Sequence, residues 1–276
     1  MSKLKTKMKL AATLAVPVAA AIATSEALKI RKYTISSPKI TSKINAVLIT
    51  DLHSTVYGDD QKKLVKAIDK QKPDVIFIAG DIIDDDLCYD GAIMLIDKIG
   101  KKYPCYYVPG NHEHRTGEVE SIKRLVASYG IKVLAGEGCT AFVAGQPIYV
   151  SGADEMATEK ARRRQFIRLN NEKDDSVFTV LLSHNPKHVK YYNMCDFDLV
   201  LCGHAHGGQV RIPGIVNGLY SPGQGIFPKY AGGFYNLDSG CMIVSRGLAK
   251  DNIPRVFNRP ELVVISLISE ELSESE

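Results

Sequence analysis

The sequence predicts an α/β sandwich, two β-sheets packed between helices. Three observations predict it. Strand-length apolar runs alternate with helix-length amphipathic stretches through the first half of the chain, and the second half is richer in strands. The third is bulk: 276 residues, 45% hydrophobic and 24% charged, carry enough apolar material for a core of one large domain.

The elements follow in order. "INAVLIT" (44–50) is rich in β-branched residues and reads as a strand. "QKKLVKAIDKQK" (61–72) places Leu64, Val65 and Ile68 on one helical face. "DVIFIAG" is the next strand, "YDGAIMLIDKIGKK" a second helix and "PCYYVPG" a third strand. "GEVESIKRLVASYG" spaces Val119, Ile122, Leu125, Val126 and Tyr129 three or four apart, and Gly130 can stop it. "IKVLA", "TAFVA" and "PIYVSGA" are short, closely spaced strands. A charged helix is expected over 158–172, with Phe166, Ile167 and Leu169 turned inward. "VFTVLLS", a short helix near "KHVKYY" and the strand "LVLCG" come next. Residues 213–240, rich in Gly, Pro and aromatics, read as a long loop or hairpins; "CMIVSRG" and "ELVVISLI" close the fold. The tail 269–276, "SEELSESE", is acidic and expected to be disordered. No internal repeat is evident.

Net charge is +4, but residues 1–28 hold Lys3, Lys5, Lys7 and Lys9 against Glu26 alone, leaving 31 basic and 30 acidic residues elsewhere. A nearly neutral body argues against a nucleic-acid surface. The first 28 residues join this basic start to a 14-residue apolar run from Leu10 to Ala23. The pattern is that of a signal-like leader or short membrane anchor, which predicts a membrane-associated or exported protein. Lys29, Arg31 and Lys32 follow, so positive charge flanks the run on both sides and no orientation is implied. Six scattered cysteines form no C-x-x-C pair and no zinc-finger spacing.

The chemistry lies at the strand ends. Five strands finish in Asp51-Leu52-His53, Asp81, Asn111-His112-Glu113, His184 and His204-Ala205-His206. Ligand sites of α/β folds collect outside the carboxyl ends of strands. Residues two apart on an extended backbone share a face, so Asp-x-His and His-x-His each aim two donors into one volume. Gly80, Gly110 and Gly203 each precede one of these groups. Two carboxylates, an amide and four imidazoles are too many ligands for one ion and suit two. Mixed oxygen and nitrogen donors without thiolate suit Mn, Fe or Zn, and paired ions recur in phosphoryl transfer.

With Gly80-Asp81-Ile82-Ile83-Asp84, Gly110-Asn111-His112-Glu113 and Gly203-His204-Ala205-His206 in place, the chain resembles the calcineurin-like metallophosphoesterases, all five blocks intact and in order between 51 and 206. The continuation "GHAHGGQVRIPGIVNGLYSPGQGIFPKYAGGFY" is similar to a bacterial, membrane-associated branch, the YkuE/YaeI type, which includes UDP-2,3-diacylglucosamine pyrophosphatases. The resemblance covers nearly everything after the leader. It implies a four-layer αββα sandwich over 29–268 with two mixed sheets flanked by helices. It also implies two divalent metal ions, one held by Asp51, His53, Asp81 and His206, the other by Asp81, Asn111, His184 and His204. A metal-bound hydroxide would then attack phosphorus in a phosphodiester, phosphomonoester or pyrophosphate. By the same resemblance His112 stabilises the transition state or protonates the leaving oxygen, and Asp84 orients His112. An N-cap role for Asp84 stays open.

Glu113 is expected to hydrogen-bond locally, His114 and His188 to lie at the surface or behind the ligands, and Arg115 to be a phosphate-binding candidate. Tyr220, Phe227 and Tyr230 could wall the pocket for a sugar, nucleobase or acyl chain, or pack among themselves. With the leader, these point to a lipid-linked, nucleotide-sugar or other envelope substrate, membrane association through the N-terminal segment, and no nucleic-acid partner. A protein phosphatase, and a non-catalytic metal-binding scaffold on the same fold, are the alternatives.

Overall fold

The computed structural model describes residues 23–156, 158–250 and 255–273. The leader prediction falls mostly on residues 1–22, outside the described residues. Among those described, no helix is long and apolar enough to cross a membrane.

The chain runs through β1 (Lys29–Ser36), β2 (Ile44–Ile49), α1 (Lys62–Asp69), β3 (Val75–Ala79), α2 (Asp90–Gly100) and β4 (Cys105–Val108). It continues through α3 (Asn111–Arg115), α4 (Val119–Ser128), β5 (Lys132–Val133), β6 (Gly138–Val143), β7 (Gln146–Ala153) and α5 (Glu159–Glu172). Then come β8 (Phe178–Ser183), α6 (Val189–Tyr192), β9 (Leu199–Cys202) and the small hairpin β10 (Tyr220–Ser221) and β11 (Gly225–Ile226). The described chain closes with β12 (Gly233–Asn236), β13 (Cys241–Val244), β14 (Glu261–Ile268) and α7 (Glu270–Ser273).

Two six-stranded mixed sheets result, ordered β1-β14-β2-β3-β4-β5 and β12-β13-β9-β8-β7-β6. In the first, β2 to β5 are parallel and β14 is antiparallel to β2; in the second, β13, β9, β8 and β7 are parallel. The inner faces meet through Leu48, Phe77 and Val108 on one side and Val150, Val180 and Leu201 on the other. Alternate residues Val47, Ile49, Ile76 and Ile78 turn outward to Leu64, Ile68, Leu95, Ile99, Ile122 and Val126 of α1, α2 and α4. The second sheet buries its outer face, Leu181, Val200 and Met242, under Phe166 and Leu169 of α5 and Tyr191 and Tyr192 of α6. Strands covered on both faces have no polar side to show, which is why they read as unbroken apolar runs. This is the two-sheet α/β sandwich that the sequence predicts.

Three details differ from the sequence reading. β1 was not anticipated. It pairs parallel to β14 along its length, from Lys29 against Glu261 to Ser36 against Ile268. It is an edge strand, with Tyr33 and Ile35 packed on the inner core and Ile30 on the outer one; interleaved charges dilute its apolar signal. Ile167 faces solvent, because Phe166 and Leu169, three apart, define the buried stripe of α5 and Gln165 shares it. The acidic tail is not wholly irregular, since Glu270–Ser273 form one helical turn.

Candidate metal centre

The parallel strands of both sheets end at one edge, and the polar groups collect there. Asp51, His53, Asp81, His204 and His206 all have positive φ, between 46° and 67°. For residues other than glycine this conformation costs about 1–3 kcal/mol each and concentrates at functional sites. Each tight turn folds a donor back over the end of its strand.

Two preceding glycines make room. Gly80 has φ +81°, and a Cβ there would lie 2.6 Å from His184 Nδ1. A Cβ on Gly203 would run into Asp51 Oδ2 and come within 2.7 Å of Thr50 Cβ. The glycines therefore let the sheet ends approach the ligand side chains directly.

The donors form overlapping clusters whose atoms lie within 4.8 Å of one another: Asp51, His53 and His206; Asp81, His184 and His204; and His53, Asp81 and His112. His184 Nε2 is 2.9 Å from Asp81 Oδ2 and 4.0 Å from Asp51 Oδ1. His206 Nε2 is 3.6 Å from Asp51 Oδ1, and His53 Nε2 is 3.8 Å from Asp81 Oδ2. Backbone N–H groups also hold the two carboxylates: His204 N donates to Asp51 Oδ1 at 2.7 Å and His112 N to Asp81 Oδ1 at 2.8 Å. His184 Nδ1 donates to Ala79 O at 2.8 Å, which leaves Nε2 as the donor atom facing the cluster.

These residues fit a pair of cations. Among the described residues, Asp51 Oδ2 and Asn111 Oδ1 are buried with no hydrogen-bond partner, and the buried Asp81 Oδ2 and His184 Nε2, 2.9 Å apart, have only each other. Buried polar atoms are rarely left so, and an ion is one of the few things that would satisfy all four. The electrostatics agree. Burial opposes ionisation of Asp81, yet the neighbouring His184 holds it well below the carboxylate range. Burial also opposes a charged His184, but Asp81 and Asp51 push it up to about 10. Positive charge is favoured at this spot, and a metal ion can take the proton's place. Burial and the His184 charge push His204 down to about 3, so its imidazole is neutral and free to ligate.

The remaining residues are placed as follows. Asp84 is not the partner of His112, contrary to the expectation. Its Oδ2 accepts from His53 Nδ1 at 2.8 Å and lies 3.8 Å from His112 Nδ1. His112 Nδ1 donates instead to Asp85. The two aspartates are adjacent, and only the curl of the loop after β3 decides which carboxylate faces which ring. His112 also stands edge-on to His53, ring centres 4.4 Å apart. Arg115 sits beside the site, its Nη1 3.1 Å from His112 Nε2.

Glu113 does hydrogen-bond locally, and to unusual depth. It is fully buried, and its oxygens accept from Asp81, Ile82, Ile83 and Gly110 N–H groups at 2.8–3.1 Å. His188 is not at the surface; it is buried, 3.9 Å from Glu155. His114 donates to Asp154 at 2.7 Å.

Tyr230 turns to Tyr235, ring centres 5.2 Å apart, while Tyr220 and Phe227 are exposed on the hairpin. That hairpin is tied to the His206 turn, Leu219 N donating to Gly208 O at 2.9 Å. Two residues beyond the reach of the sequence reading brace the same turn. Asn258 Nδ2 donates to His206 O at 2.6 Å, and Arg255 Nη2 lies 3.2 Å from His206 Nδ1.

A family model described as Calcineurin-like phosphoesterase matches residues 44–208, from β2 through the His206 turn. The chain is 28% identical over 211 residues to an uncharacterized metallophosphoesterase of Campylobacter jejuni, covering 71% of this chain and 55% of that protein's length. It is 29% identical over 231 residues to the uncharacterized metallophosphoesterase YkuE of Bacillus subtilis, covering 81% of this chain and 78% of YkuE. It is 24% identical over 203 residues to the phosphodiesterase YaeI of Escherichia coli, covering 72% of each.

Proposed function

From a chain that belongs to the calcineurin-like phosphoesterase family, we infer that it hydrolyses phosphoester bonds with the aid of two divalent cations. The observation that carries this is the convergence of oxygen and nitrogen donors from five strand ends of two sheets, with buried donor atoms on four of those ends short of a partner among the described residues. One cation would be held by Asp51, His53, Asp81 and His206 and the other by Asp81, Asn111, His184 and His204, the two sets sharing Asp81. The oxygen and nitrogen donors suit Mn, Fe or Zn. When bound, the pair supplies Lewis acidity toward a phosphoryl oxygen and makes water more acidic.

The chain's own residues do the rest. Asp84 holds the ring of His53, and Ala79 O holds that of His184, so both histidines present Nε2 to the cluster. Asp85 holds His112 by Nδ1, which aims Nε2 outward. Arg115 donates to that same Nε2. When Arg115 swings onto a phosphate oxygen, His112 Nε2 is free to take a proton from water and pass it to the leaving oxygen, while Nδ1 keeps its own proton toward Asp85.

The proposed substrate is a lipid-linked, nucleotide-sugar or other envelope phosphodiester or pyrophosphate. The leader pattern of residues 1–28 supports it, as do the exposed aromatics Tyr220 and Phe227 beside the His206 turn. Being 24% identical to a protein named a phosphodiesterase supports the diester class. The same leader supports membrane association and a place in the cell envelope.

Elemental analysis and a bis-p-nitrophenyl phosphate assay of wild type and His112→Ala test this. We expect about two metals per chain in both proteins, and a rate loss on the order of 10²–10⁴ in the variant. A metal-loaded wild type that turns over no lipid, nucleotide-sugar, diester or phosphoprotein substrate would favour the scaffold. Turnover confined to phosphoproteins would favour the protein phosphatase.

A further inference from the structure

On the edge of the first sheet lies a cavity of about 140 Å³ lined by Lys29, Arg31, Arg211, Pro213, Arg246, Phe257, Arg259 and Glu261. Five cations surround it and one carboxylate. We propose that this cavity binds the phosphate group of an anionic phospholipid, so that the face around it rests on a membrane. The site shares no residue with the metal centre, and the proposal stands or falls independently of the hydrolytic reading.

The charge is unbalanced where it matters. Glu261 is already engaged with Arg246, whose Nη1 lies 3.0 Å and 3.3 Å from its two oxygens and whose backbone N donates to it at 3.1 Å. Arg31 Nε lies 3.7 Å from the same carboxylate. Among the described residues, Arg211 and Arg259 donate to neutral carbonyls, those of Asn217, Ala27 and Leu28. Lys29, Arg211 and Arg259 thus bring charge to a cavity that Glu261 alone among the described carboxylates lines.

One donor is left over: Arg246 is 4% exposed, and its Nε is buried without a hydrogen-bond partner among the described residues. Repulsion shows in the side chains themselves: burial and Arg246 push Arg211 down to about 10, and Arg31 lowers Lys29. A bound anion relieves this, and guanidinium forks match the oxygens of a phosphate group.

The surroundings favour a lipid-borne phosphate over a free one. The turn next to Arg211 exposes Ile212 by 50% and Ile215 by 82%, and Phe257 on the other side by 43%. Apolar side chains around a basic pocket match the boundary between headgroups and acyl chains. The chain also arrives here: Phe257 N donates to Ala23 O at 2.6 Å, and Arg259 holds Ala27 O at 2.7 Å. The basic and apolar leader therefore joins the domain beside this cavity.

The test is flotation of the full chain with phosphatidylcholine vesicles, with and without phosphatidylglycerol. The leader lysines contribute to both wild type and variants, so the difference between them is what is read. Lys29→Gln/Arg211→Gln should lose on the order of 10–30-fold in partitioning to phosphatidylglycerol vesicles while its binding to phosphatidylcholine alone is unchanged. Ile215→Ser should weaken binding to both vesicle types. Superimposable melting curves establish that the variants fold; should the double variant misfold, Lys29→Gln at its exposed edge position should still lose part of the same dependence. Equal phosphatidylglycerol dependence in wild type and folded variants overturns the proposal. So does inorganic phosphate binding, seen by calorimetry and lost in the variants, with vesicle binding unaltered.

Discussion

Two neighbouring aspartates illustrate what a single side chain decides. Asp84 holds His53, a proposed ligand, and Asp85 holds His112, the proposed acid. Their substitutions should therefore fail differently. Asp84→Asn should weaken metal affinity about 10–100-fold, the usual cost of losing a hydrogen bond behind a ligand histidine, as read by metal titration. Asp85→Asn should keep its metals and lower kcat, with a displaced pH–rate profile. The opposite pattern would assign the aspartates the other way round. Gly203 is as sharply constrained, since a methyl there collides with the Asp51 carboxylate. Gly203→Ala should fold but bind less metal, measurable by elemental analysis after gel filtration.

At the scale of the element, the question is what holds the strand ends in their strained turns. Glu113, at the start of α3, binds four backbone N–H groups contributed by the ends of β3 and β4. One buried side chain thus clamps two ligand-bearing loops together. Burial and the nearby Asp81 charge push Glu113 up to about 7, while those four donors favour its carboxylate. Glutamine can offer only one acceptor oxygen, so two buried N–H groups would face an NH₂. Each such loss costs about 1–3 kcal/mol, and Glu113→Gln should lower stability by roughly 2–6 kcal/mol in urea unfolding. An unchanged midpoint would show that the clamp contributes little.

Across the whole molecule, the two sheets meet through an apolar core and again through charge. Chelation should remove the compensation of Asp51 and Asp81, and a bound ion at about a thousand times its Kd stabilises by about 4 kcal/mol. Tm should therefore drop on metal removal and return on adding manganese. A second link joins His114 after β4 to Asp154 after β7, with Lys123 on the same carboxylate at 2.7 Å. Burial opposes ionised Asp154, but the hydrogen bonds from His114 and Lys123 outweigh it and hold it low. Its contribution is present above the ordinary carboxylate range and fades as pH falls through the lowered value. The Asp154 hydrogen bond raises His114 above its ordinary 6.5, so that contribution is complete below about 6.5 and is lost as pH rises through the folded value. Wild-type Tm should decline as pH rises above 6.5 more than that of His114→Gln; identical declines would place the effect elsewhere.

Composition, periodicity and the residues closing each apolar run were enough to read the two-sheet architecture and to nominate the side chains at its edge. That information is local: burial on both faces makes a strand continuously apolar, and a glycine before a polar group marks a tight strand-end turn. The tertiary structure alone decided which of Asp84 and Asp85 faces which histidine, that His188 is buried, and that Arg255 and Asn258 brace the His206 turn. It alone built the basic cavity, because Arg31, Arg211, Arg246 and Glu261 come from distant segments and carry no shared spacing. Pairings across a sheet or between loops depend on register and on how a backbone curls within one or two residues. Those are properties of the packed chain, with no period in the sequence to announce them.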